Sequence, residues 1–181
     1  MTGHDRPFSN PIEQENEEMK SPRIALPLLL ILAASTSFAE SDAQKSFATV
    51  KSFAGSWQGK ASNGMAVKDR FRLTSNGSAV MSELSGHEEM ISMFHLDGNR
   101  LLMTHYCSAG NQPRMKATAS SDGKTVTFDF VDATNLASPQ DAHMHHVVYT
   151  IDGDHLSEDW YLVKDGKDVH EHFDLQRQKP V

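Results

Sequence analysis

His105 and Cys107 stand two residues apart in the run Met103-Thr104-His105-Tyr106-Cys107-Ser108-Ala109-Gly110-Asn111-Gln112-Pro113-Arg114-Met115, and Cys107 is the only cysteine. On a strand that spacing puts an imidazole and a thiol on one face. His143 and His145 repeat it further on. Together the four offer nitrogen and sulfur ligands of the kind zinc or copper accepts. No Cys-x-x-Cys or His-Glu-x-x-His run is present to sharpen that set. A cysteine nucleophile needs a thiolate, an imidazole in reach and an oxyanion donor. Residues two apart on a strand lie roughly 6–7 Å apart, so His105 is poorly placed as the base, with His143 the alternative. No nucleophile-elbow sequence is present, and no catalytic residue is assigned. The plainer reading is a buried thiol and hydrogen-bonding histidines. Gly110-Asn111-Gln112-Pro113 is a turn in its own right, in which Gly and Asn tolerate left-handed backbone and Pro113 fixes the next strand's start. Gln112 and Arg114 then serve either a polar or anionic head group or ordinary loop hydrogen bonds.

These side chains need a frame, and from Gly55 onward the hydrophobic period is two. Ten strands are expected, at 56–62, 65–74, 78–86, 90–96, 100–107, 113–120, 124–131, 143–151, 155–164 and 168–177. Asn76-Gly77, Asp97-Gly98, Asp122-Gly123, Asp152-Gly153 and Asp165-Gly166 accept positive φ and close tight hairpins. The expected fold is therefore all-β, a single up-and-down antiparallel barrel of about ten strands, closure removing the exposed edges. One helix precedes it, with Ser41 and Asp42 as cap residues and Phe47, Val50 and Ala54 at helical spacing before Gly55. It is placed to close the tight-turn end.

The opposite end receives the longer connections and with them His87, Glu88, Glu89, His105, Cys107, Asn111, Gln112, His143 and His145. A ligand-holding barrel is entered at such a rim. Val67, Phe71 and Leu73 share one strand face, which Asp69 interrupts; His170 and His172 fall on an outer face. Asp152-Gly153 as a two-residue turn would set Val147 opposite Glu158 and His145 opposite Trp160, an acid, an imidazole and an indole on one wall. Otherwise Glu83, Glu88, Glu89 and Glu158 read as surface acids. Met81, Met90, Met93, Met103, Met115 and Met144 suit either core filling or an irregular apolar ligand.

Ile24 to Ala34 has the length of a signal-peptide apolar region, flanked by Lys20 and Arg23 and followed by Ser37-Phe38-Ala39 as a cleavage site. The expected organisation is a signal peptide over 1–39 (the true start at Met19 being an option), a helix-bearing segment over 40–54 and a barrel over 55–178. The product is expected to be periplasmic or secreted, without stable membrane insertion after cleavage. The 142 residues beyond Ala39 carry 14 Lys and Arg against 19 Asp and Glu, a net charge of −5 with histidine neutral. That balance argues against nucleic acid as a partner. A single cysteine cannot form an internal disulfide.

Gly55-Ser56-Trp57 on the first strand and Arg177 on the last resemble the lipocalin and calycin barrels. The resemblance implies that the arginine lies over the tryptophan and helps close the barrel bottom. The strand count is similar to the ten-stranded fatty-acid-binding and nitrobindin-like barrels, and the Thr-His-Tyr-Cys to Gly-Asn-Gln-Pro-Arg-Met string resembles uncharacterised exported bacterial calycin-like proteins. Small-molecule binding is implied; a haem-ligand histidine and an arginine–tyrosine carboxylate clamp do not carry over. The expectation is a small apolar or amphipathic ligand in the calyx, met by His105, Cys107, Asn111, Gln112, Arg114, His143, His145 and Trp160, with no cofactor. The alternatives are haem, zinc or copper on His105, Cys107, His143 and His145, and a structural barrel without ligand.

Overall fold

The computed structural model describes residues 40–86, 88–119 and 122–179. The expected signal segment and His87 lie outside them. Helix α1 (Asp42–Ser52) starts on a reciprocal cap: the Ser41 side chain accepts from the Gln44 N–H at 3.3 Å, and Gln44 Oε1 accepts from the Ser41 N–H at 2.8 Å. Two otherwise orphaned N–H groups are thereby satisfied. Ten strands follow: β1 (Gly55–Ala61), β2 (Ala66–Thr74), β3 (Ala79–Ser85), β4 (Met90–Asp97), β5 (Arg100–Tyr106), β6 (Gln112–Ala119), β7 (Thr125–Thr134), β8 (His143–Asp152), β9 (His155–Lys164) and β10 (Lys167–Arg177). Each pairs antiparallel with its sequence neighbour, and β10 returns to β1 to close the barrel. This is the expected all-β meander with its short helix; β7 runs past its expected end at 131 to Thr134.

Two hairpins turn one residue later than the dipeptides indicated. Asp97 pairs with Arg100 and Asp152 with His155, so the turn residues are Gly98-Asn99 and Gly153-Asp154. Gly153 supplies the positive φ (62°) that the tight turn requires. The slip changes the expected pairing: Trp160 lies opposite Val147, and Glu158 opposite Tyr149. A shift of two in pairing preserves the face, so Glu158 and Trp160 still point inward.

Phe47, Val50 and Phe53 of the helical segment are buried, and Thr49 donates to the Gly123 carbonyl in the β6–β7 connection at 3.1 Å. The helix thus closes the tight-turn end. Behind it Phe71, Phe94, Phe128 and Tyr149 make ring contacts with centroids 5.5–6.3 Å apart. That half of the barrel is filled, not hollow. Trp57 pairs with Arg177, whose guanidinium lies 4.1 Å from the indole centroid and donates to the Ala54 carbonyl at 2.7 Å and the Ser52 carbonyl at 3.1 Å. Gly55, at φ 134°, holds a conformation that side chains disfavour, and a Cβ there would meet the Arg177 guanidinium at 3.0 Å. The expected Gly55–Trp57–Arg177 closure is in place.

Candidate functional site

A cavity of about 280 Å³ lies at the end opposite the helix. Its apolar wall comes from Ala61, Val67, Leu84, Met90, Met144, Leu162 and Phe173, its rim from Glu88, Ser108, Lys164 and Glu171, and Cys107 joins the lining. Strand alternation sets what lies beneath. One inward step down each strand, Val67 is followed by Asp69, Leu84 by Ser82, Met90 by Ser92, Cys107 by His105 and Leu162 by Trp160. An apolar mouth therefore stands over a buried polar layer.

Both oxygens of Asp69 accept from the Ser82 hydroxyl at 2.9 Å, and Trp160 Nε1 donates to Glu158 Oε2 at 2.9 Å. Asp69 and Glu158 lie close enough inside the barrel for each to alter the other's protonation. Burial pushes Asp69 up to about 7, against the lowering effects of Ser82, Glu158 and the backbone. Glu158 is raised well above the carboxylate range by burial and then by the Asp69 charge. Glu158 Oε1 has no hydrogen-bond partner, and the two buried carboxyls are best accommodated when they hold one proton between them, chiefly on Glu158. Tyr149, fully buried, is also pushed up by burial and by both acids. No lysine or arginine is buried among the described residues to offset this charge.

His105 belongs to the same layer. Its Nδ1 lies 2.9 Å from the Ser92 hydroxyl and its ring 5.0 Å from that of Trp160. Burial alone lowers its pKa to about 4, so the imidazole is neutral. Its Nε2 and the Tyr149 hydroxyl have no hydrogen-bond partner. Trp160 touches both rings, with the Tyr149 centroid at 5.8 Å.

The remaining expected site residues separate. Cys107 lines the mouth, and burial raises its thiol, with Glu88 adding to the shift. It is therefore a poor nucleophile. Asn111 is buried and donates to the Ala142 carbonyl at 2.7 Å, while Gln112 accepts from the Thr134 hydroxyl at 2.5 Å. His143 Nδ1 sits 2.7 Å from the Asp141 carbonyl oxygen, with its ring 5.1 Å from Phe130. These three stitch the long mouth loops together. Arg114 forks onto Asp132, with Nη2 2.6 Å from Oδ2, both half-exposed on the outer wall. A β-bulge between Met144 and His146 breaks the expected alternation of His143 and His145. His143 and Met144 are both buried, while His145 bonds the exposed Asp168 at 2.8 Å. The four candidate metal donors are thus not gathered; among the described residues no three His, Cys, Asp or Glu side chains are placed to hold a metal ion. His170 and His172 are on the outer face as expected, each 2.8 Å from Asp159 Oδ1.

Sequence reasoning passed over Asp69, Ser82, Ser92, Tyr149 and, as a site residue, Glu158. The available signal was an acid at an inward position, Asp69 between Val67 and Phe71, and Glu158 between Leu156 and Trp160. A larger groove of about 640 Å³ is lined mainly by outward-facing side chains of β1–β5, including Lys68, Arg70, Glu83 and Tyr106. It lies mainly over solvated ionic side chains, though Asp69, Leu84 and Met90 also contribute to its lining; the mouth cavity is the one that strand alternation sets above the polar layer.

No protein-family model matches the chain, and no curated protein does. Among solved structures it is similar to Rv2717c from M. tuberculosis, with a TM-score of 0.54 and 16% identity over 74% of this chain and 98% of that one. At that identity the likeness is one of fold: a closed ten-stranded antiparallel barrel.

Proposed function

We propose that this protein is an exported, calycin-like barrel that binds a small, largely apolar molecule bearing a polar head. The observation that carries the reading is the apolar mouth of about 280 Å³ set directly above a buried layer with unpartnered polar atoms. The size is near the low end for small-ligand pockets, and the chemistry matches them: mostly hydrophobic walls with a few convergent polar groups. Burial of the tail supplies affinity, at about 25 cal/mol per Å² of apolar surface removed from water. The polar layer supplies orientation. His105 and Trp160 contribute to that layer and Cys107 to the mouth, whereas Asn111, Gln112 and His143 keep the mouth loops in shape. The signal-like run from Ile24 to Ala39 supports export, which would leave a mature chain beginning near Glu40.

The test is titration with the neutral fluorophore N-phenyl-1-naphthylamine. The expected result is enhanced, saturable fluorescence that Leu162→Trp abolishes by filling the mouth, with Arg114→Ala unchanged. No enhancement, or equal enhancement in the Leu162→Trp protein, would overturn the reading. Amino-terminal sequencing of protein from the culture medium or periplasm tests the export.

A further inference from the structure

The buried acids specify the head group. The ligand-binding reading leaves it open, and the following rests on that reading. Three features meet inside the barrel below the mouth, with Glu158 and its strand partner Tyr149 one inward step deeper than Trp160. The first is two carboxyl groups, 1% and 0% exposed, with no buried lysine or arginine beside them among the described residues. The second is a pair of unpartnered polar atoms, Tyr149 Oη and His105 Nε2, each on a side chain no more than 1% exposed. The third is aromatic surface: Trp160 lies 5.8 Å from the Tyr149 ring and donates to Glu158.

We propose that the mouth takes a small amphipathic amine, with its ammonium head lowered onto the Asp69–Glu158 pair and its tail against Leu84, Met144, Leu162 and Phe173. An ammonium has only donors, and this layer presents acceptors: the two carboxyls and the hydroxyl oxygen of Tyr149. The Trp160 indole adds cation–π attraction for a desolvated cation. The incoming charge also takes the place of the proton shared by the two carboxyls, so binding releases that proton to solvent. A fatty-acid head is disfavoured by the same layer. A third carboxyl beside two buried ones must be protonated to enter, or face unscreened repulsion. A neutral alcohol falls between the two.

The experiment is isothermal titration of the purified protein with octylamine, octanol and octanoate at pH 7.5, which share a tail and differ in head. Octylamine is expected to bind about tenfold or more tighter than octanoate, the worth of one charge-assisted hydrogen bond. Its heat should vary with buffer ionisation enthalpy, reporting the released proton. Asp69→Asn and Glu158→Gln, made separately so that one misfolded variant does not end the test, should each reduce the amine preference while leaving octanol binding nearly unchanged. Octanoate equal to or tighter than octylamine overturns the proposal, as does an amine preference that survives in a folded variant. Either result leaves mouth binding intact if the naphthylamine titration is positive. Failure of all three octyl probes with a positive naphthylamine titration removes the amine proposal alone; failure of both experiments removes the binding reading too.

Discussion

Asp69→Asn should raise the stability of this barrel, and by an amount that depends on pH. In the folded chain the Asp69 carboxyl titrates at about 7, against 3.8 for the ordinary group, chiefly because burial disfavours its charge. Between those values the folded chain retains a proton that the unfolded chain releases. Stability therefore falls as pH rises from about 4 to about 7, and this group's cost is constant above that. Three units at about 1.4 kcal/mol each give roughly 4 kcal/mol. Asparagine removes the cost, can still accept from Ser82 and can donate to Glu158. The variant and the wild type should be close at pH 4. The difference should grow to about 4 kcal/mol by pH 7.5, or roughly 10 °C in melting temperature for a domain of this size. Glu158 keeps a raised pKa in the variant, so adding Glu158→Gln should flatten the remaining slope. Urea unfolding at pH 4, 5.5 and 7.5 measures this. A stability difference that does not change across that range would refute the account of the buried pair.

His105→Phe acts on the other limb. Its folded pKa is lowered to about 4 from 6.5, so the wild type loses roughly 3 kcal/mol as pH falls through that window, and the variant's acid limb should be correspondingly shallower in the same urea series. Arg177→Lys gives up the planar contact on Trp57 and one or more of the bonds to Ser52, Ala54 and Asp154, and should cost about 2 kcal/mol, with a change in Trp57 fluorescence. Cys107 should react with a disulfide reagent at neutral pH more slowly than a free thiol, and more slowly still with N-phenyl-1-naphthylamine bound, since its pKa is raised by burial and it lines the mouth.

The wall of this protein was legible in its sequence because it rests on local rules. Period-two alternation and the Asx-Gly turns predict ten strands, and Ser41 and Asp42 as cap-type residues mark where the helix begins. Trp57 and Arg177 stand on the first and last strands, which closure of the meander brings together. What depends on one residue of register was not legible. Asx-Gly does not say which two residues form the turn, and the late turn at Gly153-Asp154 moves the β8–β9 partners of His146 to Asp152 by two. The bulge at Met144/His146 leaves no sequence mark either, yet it turns His145 out to Asp168 while His143 stays buried. The acid pair was visible only in halves. Asp69 stands as an interruption in an inward face, but β2 reaches β9 only through β1 and β10, so nothing local points from Asp69 to Glu158.

Native mass spectrometry of the protein purified from its own host, beside the Leu162→Trp variant prepared in the same way, tests the central claim most directly. The account predicts a non-covalent adduct of one small amphipathic molecule on the wild type and its absence from the variant. The same mass for both proteins, whether bare or carrying the same adduct, would contradict it.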